Sequence, residues 1–98
     1  MKVEFHNSEL EDMAYDSGYK GKWDAKVVRA YRKTVNFVEQ AGDRKDLYAY
    51  RALHLEKLKG QRKHQHSMRI NDQYRLIVEL RSADGRETVT IVDIEDYH

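Results

Sequence analysis

Residues 66–80 read HSMRINDQYRLIVEL, and this stretch decides the fold. Tyr74, Leu76, Val78 and Leu80 alternate with Gln73, Arg75, Ile77 and Glu79, the two-residue period of a strand. His66, Met68 and Ile70 alternate with Ser67, Arg69 and Asn71 in the same way. Asn71-Asp72 separates the two runs. Both residues tolerate positive φ, so the spacing predicts a tight hairpin there.

Working outward, Asp84-Gly85 marks a second hairpin turn. Val89, Ile91, Val92 and Ile94 follow, apolar at both parities, as expected of a strand in the sheet interior. Upstream, Leu53, Leu55 and Lys57 alternate with His54, Glu56 and Leu58 before Gly60 closes the segment, a further strand. Val3 and Phe5 alternate with charged neighbours and predict a short first strand. Between these lie two helices. Ser8 and Glu11 have capping-box spacing ahead of a short helix over 9–16, which Gly18 and Gly21 break. Asp24 is positioned to cap a helix over 25–41, whose Val27, Val28, Tyr31, Val35 and Val38 share one face. Gly42 ends it, and 43–46 reads as a charged connection. The expected architecture is α+β: an N-terminal strand, then two helices packed on one face of a mostly antiparallel sheet.

The chain has 98 residues, which predicts a single domain over 1–98. Cysteine is absent, so disulfides, thiolate metal ligands and cysteine nucleophiles are excluded. That suits a cytoplasmic protein. No apolar run approaches 18 residues, and the first residues lack the apolar core of a secretory signal, so neither a membrane span nor a membrane partner is expected. Five histidines raise the question of a metal. His64 and His66 sit among Lys and Arg with no carboxylate cluster, so no metal and no cofactor is expected. No glycine-rich phosphate loop is present.

The net charge of +1 conceals a segregation. Residues 51–75 carry seven Lys/Arg against two acids, whereas 91–98 carries three acids and no Lys or Arg. A basic stretch with a nearby carboxylate suits polyanion binding, although a plain solvated face has the same composition. Metal-free RNA cleavage needs only such parts. RNA supplies its own 2′-hydroxyl nucleophile. A base removes its proton, cations stabilise the pentavalent phosphate, and an acid protonates the departing 5′-oxygen. Lys57, Lys59, Arg69 and Arg75 are candidate cations. Asp96, Tyr97 and His98 offer a carboxylate, a ring for stacking and an imidazole. Glu56 and His54 are further acid–base candidates.

Residues 55–76, LEKLKGQRKHQHSMRINDQYRL, resemble the central signature of HigB-type toxins of the RelE/ParE toxin–antitoxin superfamily. That signature runs approximately L-x-x-L-K-G-x-R-x-G-x-[YW]-S-[IV]-R-[IV]-N-x-x-[YW]-R-[IV]. The closing DIEDYH resembles the family's terminal E-D-Y-H. The resemblance implies a RelE-like fold and a ribosome-dependent mRNA endoribonuclease that cuts the codon in the ribosomal A site and stops translation. Carried over by position, Lys59 matches the lysine of L-K-G, Arg69 and Arg75 match the strand arginines, and Asp96, Tyr97 and His98 match D-Y-H. Two departures stand out. Glu56 occupies a position where many members have a catalytic histidine, with His54 two residues away; on a strand, both would face one side. His64-Gln65-His66 replaces the usual glycine and aromatic.

The expected catalytic set is therefore Glu56, Lys59, Arg75, Asp96, Tyr97 and His98. RNA contacts are expected from His54, Lys57, Arg62, Lys63 and Arg69. The general base stays open between Glu56, His54 and Asp96. The implied partners are the 70S ribosome with its mRNA and a HigA-like helix-turn-helix antitoxin, through which the complex would reach operator DNA. The alternative is a non-enzymatic ParE-like inhibitor, or an RNA-binding module, on the same scaffold.

Overall fold

The computed structural model describes residues 1–96; Tyr97 and His98 lie outside the described residues. The chain runs β1 (Lys2–Phe5), α1 (Ser8–Tyr15), α2 (Ala25–Gln40), α3 (Arg44–Ala49), β2 (Glu56–Lys57), β3 (His66–Arg69), β4 (Tyr74–Ala83) and β5 (Arg86–Asp96). Short 3-10 turns occupy Arg51–Leu53 and Gly60–Arg62. One five-stranded sheet has the order β1-β5-β4-β3-β2. Only β1 pairs parallel, against β5; the other pairs are antiparallel. The expected α+β architecture is present, and β5 is interior, between β1 and β4.

Local chemistry explains most boundaries. Asp24 caps α2 by accepting from the Val27 amide at 3.0 Å. Val27, Tyr31, Thr34, Val35 and Val38 are the buried face of this helix. Each aliphatic side chain so buried contributes on the order of 1.5–3 kcal/mol. α1 locks onto α2 through polar groups as well. The buried Tyr31 hydroxyl donates to the Leu10 carbonyl at 2.8 Å. Arg32 donates to the Met13 and Asp16 carbonyls at 2.8 and 2.6 Å, satisfying groups that the end of α1 leaves without helical partners. Met68, Leu76, Val78, Val89, Ile91 and Ile94 form the sheet side of the same core.

Four local expectations are corrected. The cap of α1 is Asn7, which accepts from Leu10 at 2.9 Å, so the helix starts one residue earlier than a Ser8 cap requires. The charged connection after Gly42 is helical: Asp43 accepts from the Lys45 and Asp46 amides and starts α3. The strand expected over 53–58 shrinks to Glu56–Lys57, because residues 51–53 wind into a 3-10 turn and His54 adopts a left-handed φ of 47°. Positive φ is absent from Asn71-Asp72. Instead the Asn71 side chain accepts from the Gln73 and Tyr74 amides at 2.9 and 2.7 Å, an Asx-type turn. Asp84 and Gly85, by contrast, have φ of 53° and 74°, as the two-residue hairpin turn requires.

A bulge sets the two faces of the sheet. Ile77 pairs with Asp93, but Val78 pairs with Ile91, so Val92 is an extra residue. The buried positions of β5 therefore run Val89, Ile91, Ile94, with one step of three. That phase shift keeps Ile94 in the core while Asp93 joins the row of Ser67 and Ile77 on the opposite face.

Candidate active site

The face of β2, β3 and β4 opposite the helices carries the polar residues. Cross-strand partners share a face, and β3–β4 pairing sets Arg69 opposite Arg75. One step along, Ser67 pairs with Glu56 on one side and Ile77 on the other. Ile77 is 1% exposed and lies outside the main core cluster, so it forms an apolar floor for this face. A concavity of about 210 Å³ opens here, lined by His54, Glu56, Ser67, Arg69, Asn71, Asp72 and Arg75.

His54 and Glu56 reach this cavity together, though not as neighbours on one strand. The left-handed backbone at His54 ends the 3-10 turn and re-aims the chain into β2, where Glu56 is the first residue. A non-glycine residue in that conformation is strained, which concentrates at functional sites. Arg75 is half-buried, and its Nη1 donates to the Ser67 hydroxyl at 3.3 Å. Ser67 is only 3% exposed, so this contact holds the guanidinium from below. Arg69 is more exposed; it donates to the Asn71 carbonyl and pairs with Asp72. The cavity thus combines two guanidiniums, two carboxylates and an imidazole. Such a set can bind a phosphodiester and move protons at it.

The remaining sequence candidates separate. Arg62 forms a two-pronged pair with Glu95, Nη1 to Oε1 at 3.1 Å and Nη2 to Oε2 at 2.8 Å. This ties the loop after Gly60 to the end of β5. Lys59 and Lys63 flank the second 3-10 turn, exposed, and neither lines the cavity. Lys57 shares the His66 row and so projects from the helix-side face. Asp96 pairs with Tyr74, whereas Glu95 pairs with Arg75. Strand alternation therefore places Glu95, not Asp96, on the side of the arginines. Tyr97 and His98 lie outside the described residues. Sequence reasoning missed Ser67, Asn71, Asp72 and Glu95. The register of an alternating hairpin would have placed Ser67 and Glu95 beside the arginines. Among the described residues, no group of three His, Asp or Glu is arranged to hold a metal ion.

One histidine lies apart from this chemistry. His66 is buried on the core side with Nδ1 lacking a hydrogen-bond partner. Burial, with Arg44 and Lys57 nearby, holds its pKa below the ordinary histidine value.

Solved structures share this fold, a mixed sheet with helices on one face. The YoeB/ParE toxin from Agrobacterium tumefaciens aligns with a TM-score of 0.62 and 17% identity, over 100% of both chains. A chain of the YoeB-YefM complex from Staphylococcus aureus aligns at 0.57 and 22%, covering 100% of this chain and 97% of that one. The YoeB dimer from the same organism aligns at 0.56 and 24%, with the same coverage. No curated protein matches the chain. Residues 3–98 match the family described as RelE-like toxin of type II toxin-antitoxin system HigB, and the chain belongs to that family. No helix among the described residues is long and apolar enough to cross a membrane.

Proposed function

We propose that this HigB-family toxin is a ribosome-dependent, metal-independent mRNA endoribonuclease acting in the cytoplasm. The observation that carries the reading is the delivery of His54, Glu56, Arg69 and Arg75 to one cavity, large enough to accept a phosphate group. In this reading Glu56 removes the proton from the 2′-hydroxyl, and His54 beside it orients the ribose. The 2′-oxygen forms a bond to phosphorus as the bond to the 5′-oxygen breaks. Arg75, held by Ser67, and Arg69 stabilise the charge on the pentavalent phosphate. An acid returns a proton to the 5′-oxygen, a role assigned to His98. The products are a 2′,3′-cyclic phosphate and a free 5′-hydroxyl. Lys59, Lys63 and Arg62 lie outside the cavity and suit contacts along the ribosomal and messenger backbone, which position without reading sequence. Tyr97 supplies a ring for a nucleobase, and Lys57, Asp96 and Glu95 are peripheral.

The partner in this reading is a helix-turn-helix antitoxin encoded beside the toxin gene. The test is Glu56→Gln and Arg75→Ala in a purified ribosome programmed with a defined message. Both should lose cleavage while still binding the ribosome. Full cleavage by both variants would overturn the assignment. Intact message with arrested replication would point to a ParE-like inhibitor instead.

A further inference from the structure

Glu95 sits directly opposite Arg75 across the antiparallel β4–β5 pair. Side chains so placed share a face, with Cβ atoms about 5 Å apart, and opposite charges at that spacing attract. A guanidinium held by a carboxylate has less to offer a phosphate, because both anions compete for the same donors. Strand pairing alone would therefore join Glu95 to Arg75 and blunt the cation. The carboxylate has another partner instead. Both its oxygens accept from Arg62, Oε1 from Nη1 at 3.1 Å and Oε2 from Nη2 at 2.8 Å.

The loop that carries Arg62 is built to deliver it. Gly60, with a φ of 68°, turns the chain after β2. The Leu58 amide donates to the Gln65 carbonyl at 2.9 Å, and the Gln65 amide donates to the Arg62 carbonyl at 2.8 Å, which closes the loop on itself. Arg62 Nε donates to the Gln65 side chain at 3.2 Å and fixes the plane of the guanidinium. All three guanidinium nitrogens are thereby engaged. His64 of the same loop approaches Glu79 at 3.9 Å. Arg75, Ile77 and Glu79 share the face opposite the helices by strand alternation, so the loop lies along that face of β4. Ile77, between the two anchor points, is buried.

We propose that Arg62 is a positioning residue for cleavage: it engages Glu95 on both oxygens and so keeps that carboxylate from pairing with Arg75. Glu95 is peripheral to the reaction because Arg62 holds it there. The planar fork of an arginine suits this task, since it matches a carboxylate with two parallel bonds. The inference rests on the reading of Arg75 as the cation that meets the phosphate.

The test is single-turnover cleavage of ribosome-bound message at saturating toxin, where binding strength no longer limits the rate. Arg62→Ala releases Glu95 to Arg75 and should slow cleavage about 5-fold, the factor set by an exposed ion pair at the strong end of its range. Glu95→Gln breaks the same ion pair but removes the competing charge, and should stay within about 2-fold of the parent. The double variant Arg62→Ala/Glu95→Gln should be as fast as Glu95→Gln alone. A role for the pair in folding the loop or in anchoring the end of β5 predicts equal losses in both single variants. A role for Arg62 in gripping RNA predicts a loss that Glu95→Gln does not repair. Either result would overturn the proposal, as would an Arg62→Ala variant as fast as the parent. Arg62→Ala/Asp84→Asn restores the same net charge about 30 Å along β4 from Arg75, and should remain slow. Its recovery would trace the effect to overall charge and overturn the proposal.

A second readout needs no turnover. An uncleavable 2′-O-methyl trinucleotide, followed by fluorescence anisotropy, should bind Arg62→Ala about 5-fold more weakly than the parent and regain its affinity in the double variant. That pattern in a protein that cleaves no message would leave the inference standing while the nuclease reading fails. Cleavage by the parent without the pattern, in rate or in affinity, would do the reverse. A parent that neither cleaves message nor binds the trinucleotide would overturn both.

Discussion

Removing the Ser67 hydroxyl should weaken catalysis without weakening the fold, because the side chain that donates to it is a proposed catalytic cation. Ser67 Oγ accepts from Arg75 Nη1 at 3.3 Å, in a position 3% exposed. A hydrogen bond to a charged group contributes roughly 1.5–3 kcal/mol. At 3.3 Å this bond is long, so the lower value applies, and Ser67→Ala should cost about 1.5 kcal/mol, or about 10-fold in rate. Arg75→Ala removes the whole guanidinium, comparable to deleting one donor of an oxyanion hole, and should cost about 100- to 1000-fold. If Ser67 acts only by aiming Arg75, the double variant should be no slower than Arg75→Ala alone. Single-turnover cleavage of ribosome-bound message measures all four rates. Melting temperatures within about 4 °C of the parent would show that the fold survives. Independent, multiplying losses would refute the positioning argument, as would a Ser67→Ala variant as fast as the parent.

Three further outcomes follow from the structure. Tyr31→Phe deletes a buried hydroxyl that donates to Leu10 at 2.8 Å, and should lower stability by about 1 kcal/mol in chemical denaturation. His66 has a folded pKa below its unfolded value of about 6.5, so the unfolded chain binds the proton more readily. Its contribution to stability is present above about pH 6.5 and is lost as pH falls through the folded pKa; His66→Leu should flatten that slope in urea melts at stepped pH. Asp72→Asn leaves Arg69 without its anionic partner, and should tighten RNA binding and steepen its salt dependence by about one phosphate contact, read by fluorescence anisotropy.

How far the sequence carried depends on length and period. α2 was legible because sixteen residues repeat one apolar face between Asp24 and Ala41. The β4–β5 hairpin was legible because Asp84-Gly85 suits a two-residue turn with positive φ. α3 was not, since six residues with one buried side chain, Leu47, carry no measurable period. The alternation over 53–58 was real in composition but misleading, because the chain turns at His54 and only Glu56–Lys57 pair. At the site, Arg69 and Arg75, chosen from charge and from the resemblance, lie opposite each other across β3 and β4. Lys57 was drawn in by charge, and Lys59 by charge and by the resemblance to L-K-G; neither lines the cavity. Asp96 was displaced by the register, which no composition argument reveals: its neighbour Glu95 pairs with Arg75 instead.

The most direct check is primer extension on a message held in ribosomes with the purified toxin, followed by analysis of the new 3′ ends. The account predicts cuts in phase with the codon in the A site, ending in 2′,3′-cyclic phosphate and absent with Arg75→Ala. An uncut message at toxin equimolar with ribosomes, or cuts that persist in full without Arg75, would contradict it.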